Sequence, residues 1–434
     1  MSTGPVRLVV IDPGHFHAAL VQKHPYGGEV SGDVRVYAPR GPELESHLAL
    51  VRSFNARAED PTRWNEIVYE GDDFLARAVE ENRGAENAVA VLAGRNDLKA
   101  GYCLAAVRAG FHVLADKPLA ITPETYGTLA EAVGLARERN LVVMDLMTDR
   151  YDVLNQLQSA LAHDAELFGE QLAGTPEEPG IVRESVHHFL KLVNGAPLRR
   201  PPWYYDTDRQ GAAIVDVTTH VVDDVRWTAL PGAHLSQSDV EVVSARRWPT
   251  PVALEDFAAS TGCADWPAAL RGRLDDGGIL QCDANGEFTC RQRGIYAKVR
   301  VEWRIRAAAG CGDAAYALMR GSRAEVGIRT DASSGPVLFV RASPGGGAVR
   351  AALDRALARL SRRWPGLSSV QEPGGWRVVV PAEHVVSHEE QFREAARTVL
   401  GWVRGGQPQS EYDHLLLKYR TLVDAFEKSA PRAG

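Results

Sequence analysis

Asp216 and His220 stand four residues apart in the run Gly211-Ala212-Ala213-Ile214-Val215-Asp216-Val217-Thr218-Thr219-His220-Val221-Val222-Asp223-Asp224. The apolar positions Ile214, Val217, Val221, Val222 and Val225 recur at helical spacing, so a helix is expected from Gly211 onward. On a helix, side chains at i and i+4 meet on one face. A carboxylate beside an imidazole orients a proton-transfer group and tunes its hold on the proton. The same pair also serves as an ordinary structural hydrogen bond, and the spacing alone fits both uses.

A second stretch with chemical potential is Asp12-Pro13-Gly14-His15-Phe16-His17, directly after the apolar run Val6 to Ile11. A strand followed by such a turn is where a dinucleotide pyrophosphate would sit. The usual G-x-G-x-x-G lets backbone approach phosphate at a helix start. Only its middle glycine, Gly14, is present here. Asp12 would repel phosphate if it pointed inward, and His17 is bulky where helix and strand should be close. At the end of the next strand, Ala38 takes the place of the acidic residue that holds the ribose hydroxyls of NAD. Arg40 follows two residues later, so a 2′-phosphate is accommodated as readily, and the cofactor is expected to be NAD or NADP.

The elements that would position these residues alternate from Val6 to about Met144. Strands are expected at Val6 to Ile11, Val34 to Tyr37, Ile67 to Tyr69, Ala88 to Leu92, His112 to Ala115 and Leu141 to Met144, with amphipathic helices between them. Such alternation implies an α/β doubly wound parallel sheet of the Rossmann type, with ligands at the carboxyl ends of its strands. At 434 residues the chain is expected to hold more than one domain. The boundaries are placed at 1–146 for a dinucleotide-binding domain and 147–345 for an α+β domain carrying a largely antiparallel open sheet. A C-terminal helical extension over 346–434 is expected to pack on both.

Composition narrows the partners. A hydrophobic fraction of 45% with 24% charged residues describes a globular protein. The net charge of −7 argues against a nucleic-acid surface, which needs clustered Lys and Arg. No run approaches the ~20 apolar residues that span a bilayer, and Met1 to Arg7 lacks the regions of a signal peptide. The cysteines at 103, 263, 282, 290 and 311 form no Cys-x-x-Cys unit. That favours reduced thiols and a cytoplasmic location. His384, His388, Glu389 and Glu390 lack the His-Glu-x-x-His spacing, and no metal is expected.

After the fourth strand comes Leu92-Ala93-Gly94-Arg95-Asn96-Asp97, and after the fifth Asp116-Lys117-Pro118-Leu119. Together with Gly211, Asp216 and His220, these make the chain resemble the glucose–fructose oxidoreductase / inositol dehydrogenase / rhizopine-catabolism (Gfo/Idh/MocA) family. An acidic-Lys-Pro signature and a later Gly…D-x-x-x-H signature occur in the family's order. Asp12-Pro13-Gly14-His15-Phe16-His17-Ala18-Ala19-Leu20 and Glu184-Ser185-Val186-His187-His188-Phe189 suggest a branch of oxidoreductases with a distinctive C-terminal domain. The resemblance covers residues 6 to 245 well and the remainder more loosely.

The resemblance implies an NAD(P)-dependent oxidoreductase moving a hydride between nicotinamide and a sugar, glycoside or polyol hydroxyl, or the matching keto-sugar. Lys117 would hold the substrate hydroxyl and stabilise a developing alkoxide. His220 would take the hydroxyl proton, with Asp216 orienting it or binding a neighbouring hydroxyl. The nucleotide would contact Asp12, Gly14, His15, Phe16, His17, Ala38, Arg40, Gly94, Asn96, Asp116 and Lys117. Arg150 and Tyr151 would face the carbohydrate. So would one of His187 and His188, since neighbours on a strand point opposite ways, and Trp203 could stack on a sugar ring. A homodimer or homotetramer is implied by the family alone.

Three other readings remain open on the sequence. Tightly held NAD could support a redox-neutral glycoside cleavage or epimerisation. A non-catalytic nucleotide- or sugar-binding regulator fits Asp12 and Ala38 but has no use for a proton-transfer set. A metal-dependent lyase would draw ligands from His187 or His188 with Asp216, His220 and Asp224.

Overall fold

The computed structural model describes residues 4–193, 196–307, 312–331 and 335–430; Cys311 lies outside them. The chain forms two compact units. One comprises Met1–Thr148, Trp203–Gly211 and His388–Val423, the other Asp149–Pro202, Ala212–Ser387 and Asp424–Gly434. The expected third segment, 346–434, is thus apportioned between the two units.

In the first unit, six strands form one sheet: β1 Arg7–Ile11, β2 Asp33–Ala38, β3 Asn65–Glu70, β4 Ala88–Leu92, β5 His112–Ala115 and β6 Val143–Asp145. Their order is β3-β2-β1-β4-β5-β6 and every pairing is parallel. Apart from Arg7 and His112 at their first positions, β1, β4 and β5 are continuous apolar runs because helices cover both faces. β3 is an edge strand, so Ile67 and Val68 remain exposed, which explains its weak apolar signal. Helix Pro123–Arg139 starts on a reciprocal cap, Thr122 accepting from Thr125 N–H, and stops at Asn140 in the left-handed conformation.

The opposite edge, β6, is covered by the returning helices His388–Gly405 and Gln409–Lys428. The side-chain amide of Gln407 accepts from Val143 N–H at 2.9 Å and donates to Val143 C=O at 3.1 Å. Tyr412 donates its hydroxyl to Leu141 C=O at 2.6 Å. A side chain therefore completes the ladder where a seventh strand would otherwise sit.

The second unit is built on a nine-stranded sheet among the described residues. Only the pair β7 (Ile181–Leu190) with Ile295–Arg306 is parallel; the rest is antiparallel. Gly335–Ala342 is internal because the hairpin Ser368–Glu372/Gly375–Val379 adds two further strands beyond it. Helices Val153–Ala162 and Thr218–Ala229 pack together on this sheet. Between helices and sheet lies a polar knot. Arg183 donates to Asn155 at 2.9 Å, Gln158 at 2.8 Å and Thr228 at 3.1 Å, with Asp224 at 3.7 Å. No helix among the described residues is long and apolar enough to cross a membrane.

Candidate active site

The turn after β1 is set by Asp12, whose φ of 48° places a non-glycine residue in the left-handed region. Its carbonyl accepts from Gly14 N–H at 2.8 Å, and His15 N–H bonds Ala93 C=O at 2.7 Å, tying this turn to the one after β4. The approach is close enough that a Cβ on Gly94 would lie 2.2 Å from the Asp12 carbonyl oxygen. One on Gly14 would meet Gly94 Cα at 3.2 Å and Trp203 Cζ2 at 3.4 Å. Glycine at 94 thus does what the fingerprint glycines of the first turn normally do. Trp203 belongs to this turn within the first unit.

The Asp12 carboxylate accepts from the Tyr102 hydroxyl at 3.1 Å. Burial raises its pKa, and the Tyr102 bond and the Arg95 charge act the other way. Ala38 is buried at the end of β2. Arg40 is exposed and pairs with Glu70 at 3.0 Å. Asn96 opens the helix Asn96–Ala109, donating to Gln210 C=O at 2.7 Å and accepting from Lys99 at 2.7 Å.

Asp116 follows β5 and is held by its N–H on Leu92 C=O at 2.7 Å. His15 Nδ1 lies 3.1 Å from one carboxylate oxygen and His17 Nδ1 3.0 Å from the other. Burial pushes the His17 ring down to about 4 against the pull of Asp116. Its imidazole is therefore neutral at physiological pH, with Nδ1 at hydrogen-bond distance from the carboxylate. Phe392 and His388 stack around His17 at 5.3 and 5.7 Å, while Phe16 faces outward. Lys117, half-buried, and Pro118 come next, joined by a cis peptide bond. Leu119 N–H is bonded by Tyr419, whose hydroxyl also reaches Asp145.

In the second unit, the helix bearing His220 begins later than its periodicity predicts. Gly211 has a φ of 91°, residues 213–217 form successive turns, and the helix runs Thr218–Ala229. Two competing bonds explain the delay. Ala213 N–H is taken by Asp283 C=O at 3.0 Å, and the Thr218 hydroxyl turns back to the carbonyls of Ala213 and Ile214. Gly286 admits this turn, since a Cβ there would sit 2.8 Å from Ile214 Cβ. Asp216 is buried in the turn ahead of the helix. His220 Nδ1, shielded from solvent and without a hydrogen bond, lies 3.8 Å from the carboxylate of Asp149.

Arg150 is committed to a fork on Asp223 at 2.6 and 2.8 Å, and Tyr151 is half-buried beside it. His187 and His188 both direct Nδ1 to Asp313, at 3.0 and 3.3 Å, and Lys191 joins them. Strand alternation is sidestepped because Asp313 precedes Ala314–Arg320, whose first residue pairs with Val186. Asp313 therefore sits at the sheet margin, in reach of both rings. Burial would raise its pKa, but His187 and Lys191 outweigh that and hold it well below the usual carboxylate range. Trp303 stacks on His187 at 5.1 Å, with the Arg200 guanidinium 5.0 Å from its ring centre.

Asp313, Asp149, Tyr102 and Tyr419 were not legible as site residues, for none carries a motif. The ligand set drawn for a metal-dependent lyase is not gathered at one point. Among the described residues, the cluster of metal-ligating type is His15, His17 and Asp116.

Comparisons with known proteins agree with this architecture. Residues 157–430 match the family model described as "Putative oxidoreductase C terminal domain". A solved "putative oxidoreductase" from Parabacteroides merdae ATCC 43184 is 40% identical, covers 98% of both chains and superposes with a TM-score of 0.94. A 1,5-anhydro-D-fructose reductase of Ensifer adhaerens is 34% identical over 156 residues; the match spans 35% of this chain and only 40% of that reductase. A levoglucosan dehydrogenase solved with NADH and levoglucosan shares the fold at a TM-score of 0.60 and 15% identity, over 98% of this chain and 97% of its own.

Proposed function

The chain belongs to the oxidoreductase family that carries this C-terminal domain, in keeping with the Gfo/Idh/MocA resemblance of its motifs, and from that premise we propose an NAD(P)-dependent oxidoreductase acting on a sugar, glycoside or polyol hydroxyl or the matching keto-sugar. The observation that carries this reading is the abutment of the β1 and β4 turns at Gly14 and Gly94, with Lys117 the second residue after β5. This is the carboxyl end of a parallel sheet, where a dinucleotide binds. The reductase and dehydrogenase named above support a carbohydrate substrate.

Lys117 polarises the reacting hydroxyl and steadies the alkoxide. His220 accepts its proton, and Asp216 orients the histidine or binds a neighbouring hydroxyl. The nicotinamide, when bound, supplies the hydride acceptor or donor. Asp12, turned onto Tyr102, keeps its charge engaged by a hydroxyl. Trp203, which lies against the Gly14 turn, stacks on the sugar ring. Arg150 acts through Asp223, and His187 and His188 through Asp313. A homodimer or homotetramer in the cytoplasm completes the proposal. The buried thiols of Cys103 and Cys290, which form no disulfide, favour that compartment.

The test is titration of the purified protein with NAD, NADP and their reduced forms, followed by a sugar and glycoside panel read as nicotinamide absorbance. Lys117→Met and His220→Ala are expected to lower kcat/KM by roughly 10²–10⁴, and His220→Ala to do so while coenzyme affinity is kept. Absence of coenzyme binding, or full activity in both variants, would reject the assignment.

A further inference from the structure

We propose that His15, His17 and Asp116 form a binding site for one divalent transition-metal ion. The sequence reading expected none, and the cofactor assignment neither requires nor supplies it. Both histidines turn the same ring nitrogen, Nδ1, onto opposite oxygens of one carboxylate, at 3.1 and 3.0 Å. All three ligand atoms lie within 4.8 Å of one another. Ligands at about 2.0–2.1 Å around a tetrahedral zinc ion are themselves separated by roughly 3.3 Å. The two histidine–carboxylate contacts are close to that spacing.

Hydrogen bonding accounts for only half of this arrangement. His17 makes a well-formed bond to Asp116. His15 Nδ1 does not: it is shielded from solvent and has no hydrogen-bond partner, although a carboxylate oxygen is 3.1 Å away. An imidazole nitrogen facing a carboxylate at that distance without a well-formed hydrogen bond is poorly satisfied. It is satisfied if its lone pair and that of the carboxylate converge on a cation.

The frame is also rigid. His15 N–H is fixed on Ala93 C=O, and Asp116 on both sides by Leu92 C=O and the Lys99 ammonium. Phe392 walls the His17 ring. Two imidazoles and one carboxylate select zinc, cobalt, nickel, manganese or ferrous ions, whereas calcium and magnesium favour all-oxygen sites. Three protein ligands leave an open coordination position, as catalytic rather than structural sites do. The ion would also bring positive charge to a phosphate-binding turn that lost two of its three glycines.

The experiment uses the full chain without a histidine tag. Chelator-treated protein is titrated with Co(II) and read by its visible d–d bands, with Zn(II) competition and elemental analysis alongside. The expected result is uptake of about one equivalent, displaced by zinc. His15→Ala, at the more exposed ligand, should weaken binding by more than the roughly 10–100-fold that loss of an outer-shell partner costs. Circular dichroism verifies its fold, and Asp116→Asn serves as the second variant. Folded wild-type protein that takes up no ion, or uptake equal in wild type and both variants (an adventitious ion only), would overturn the site. Neither readout depends on turnover, so failure here and failure of the dehydrogenase reading are separable.

Discussion

The hydroxyl of Tyr419 accepts the backbone N–H of Leu119 at 2.8 Å and donates to the Asp145 carboxylate at 2.6 Å. All three groups are buried, and Lys418 holds the other Asp145 oxygen at 2.8 Å. A helix three hundred residues downstream thus fixes the residue two places after Lys117.

Tyr419→Phe removes that link while keeping the ring. It leaves a buried N–H without its acceptor, which costs about 1–3 kcal/mol. Denaturant unfolding should show that loss. Turnover should fall, because the Lys117 loop loses its anchor.

His112 should impose an acid limit. Its ring is buried, accepts Val142 N–H at 2.9 Å, and is pushed down to about 4 by burial. In the unfolded chain it titrates near 6.5. Between those values the unfolded state binds the extra proton, so stability falls as pH drops through that window, by roughly 3 kcal/mol at most. His112→Asn keeps an acceptor but does not titrate. The gap in unfolding free energy between wild type and variant should narrow from pH 7 to pH 4.5.

Gly94→Ala should be severe. The new methyl would meet the Asp12 carbonyl at 2.2 Å, and neither backbone can yield without moving the turn. Overpacking of this kind costs about 1–3 kcal/mol. If that strain displaces the turn, coenzyme affinity falls roughly tenfold for each 1.4 kcal/mol. Isothermal titration with NAD and NADP would measure it.

Two arginines should differ sharply. Arg183→Met strands the acceptors of Asn155, Gln158 and Thr228 in the interior, with an expected loss of about 3 kcal/mol or more. Arg355→Ala removes an exposed pair with Glu166 and should leave stability nearly unchanged. Thermal melts of the two variants compare them directly.

Periodicity made the six parallel strands legible, because each buried strand carries its own apolar run. It failed where tertiary bonds compete with local preference. The helix signal from Gly211 is real in its apolar spacing, yet Asp283 and Thr218 capture the groups that would have continued it toward the amino terminus. Likewise, nothing local marks Asp313, which matters because strand pairing sets it beside His187. The glycine deficit at residues 12 and 17 was visible at once. Its compensation by Gly94 was not, since it depends on the contact of two distant turns.

The amide of Gln407 lying along Val143 has a consequence for how this protein can be divided. A polypeptide ending near residue 146 would carry the whole nucleotide sheet but leave its sixth strand bare, with donors and acceptors open to any passing extended segment. Such a fragment should self-associate when expressed alone, and supplying 388–423 in trans should restore a monodisperse species.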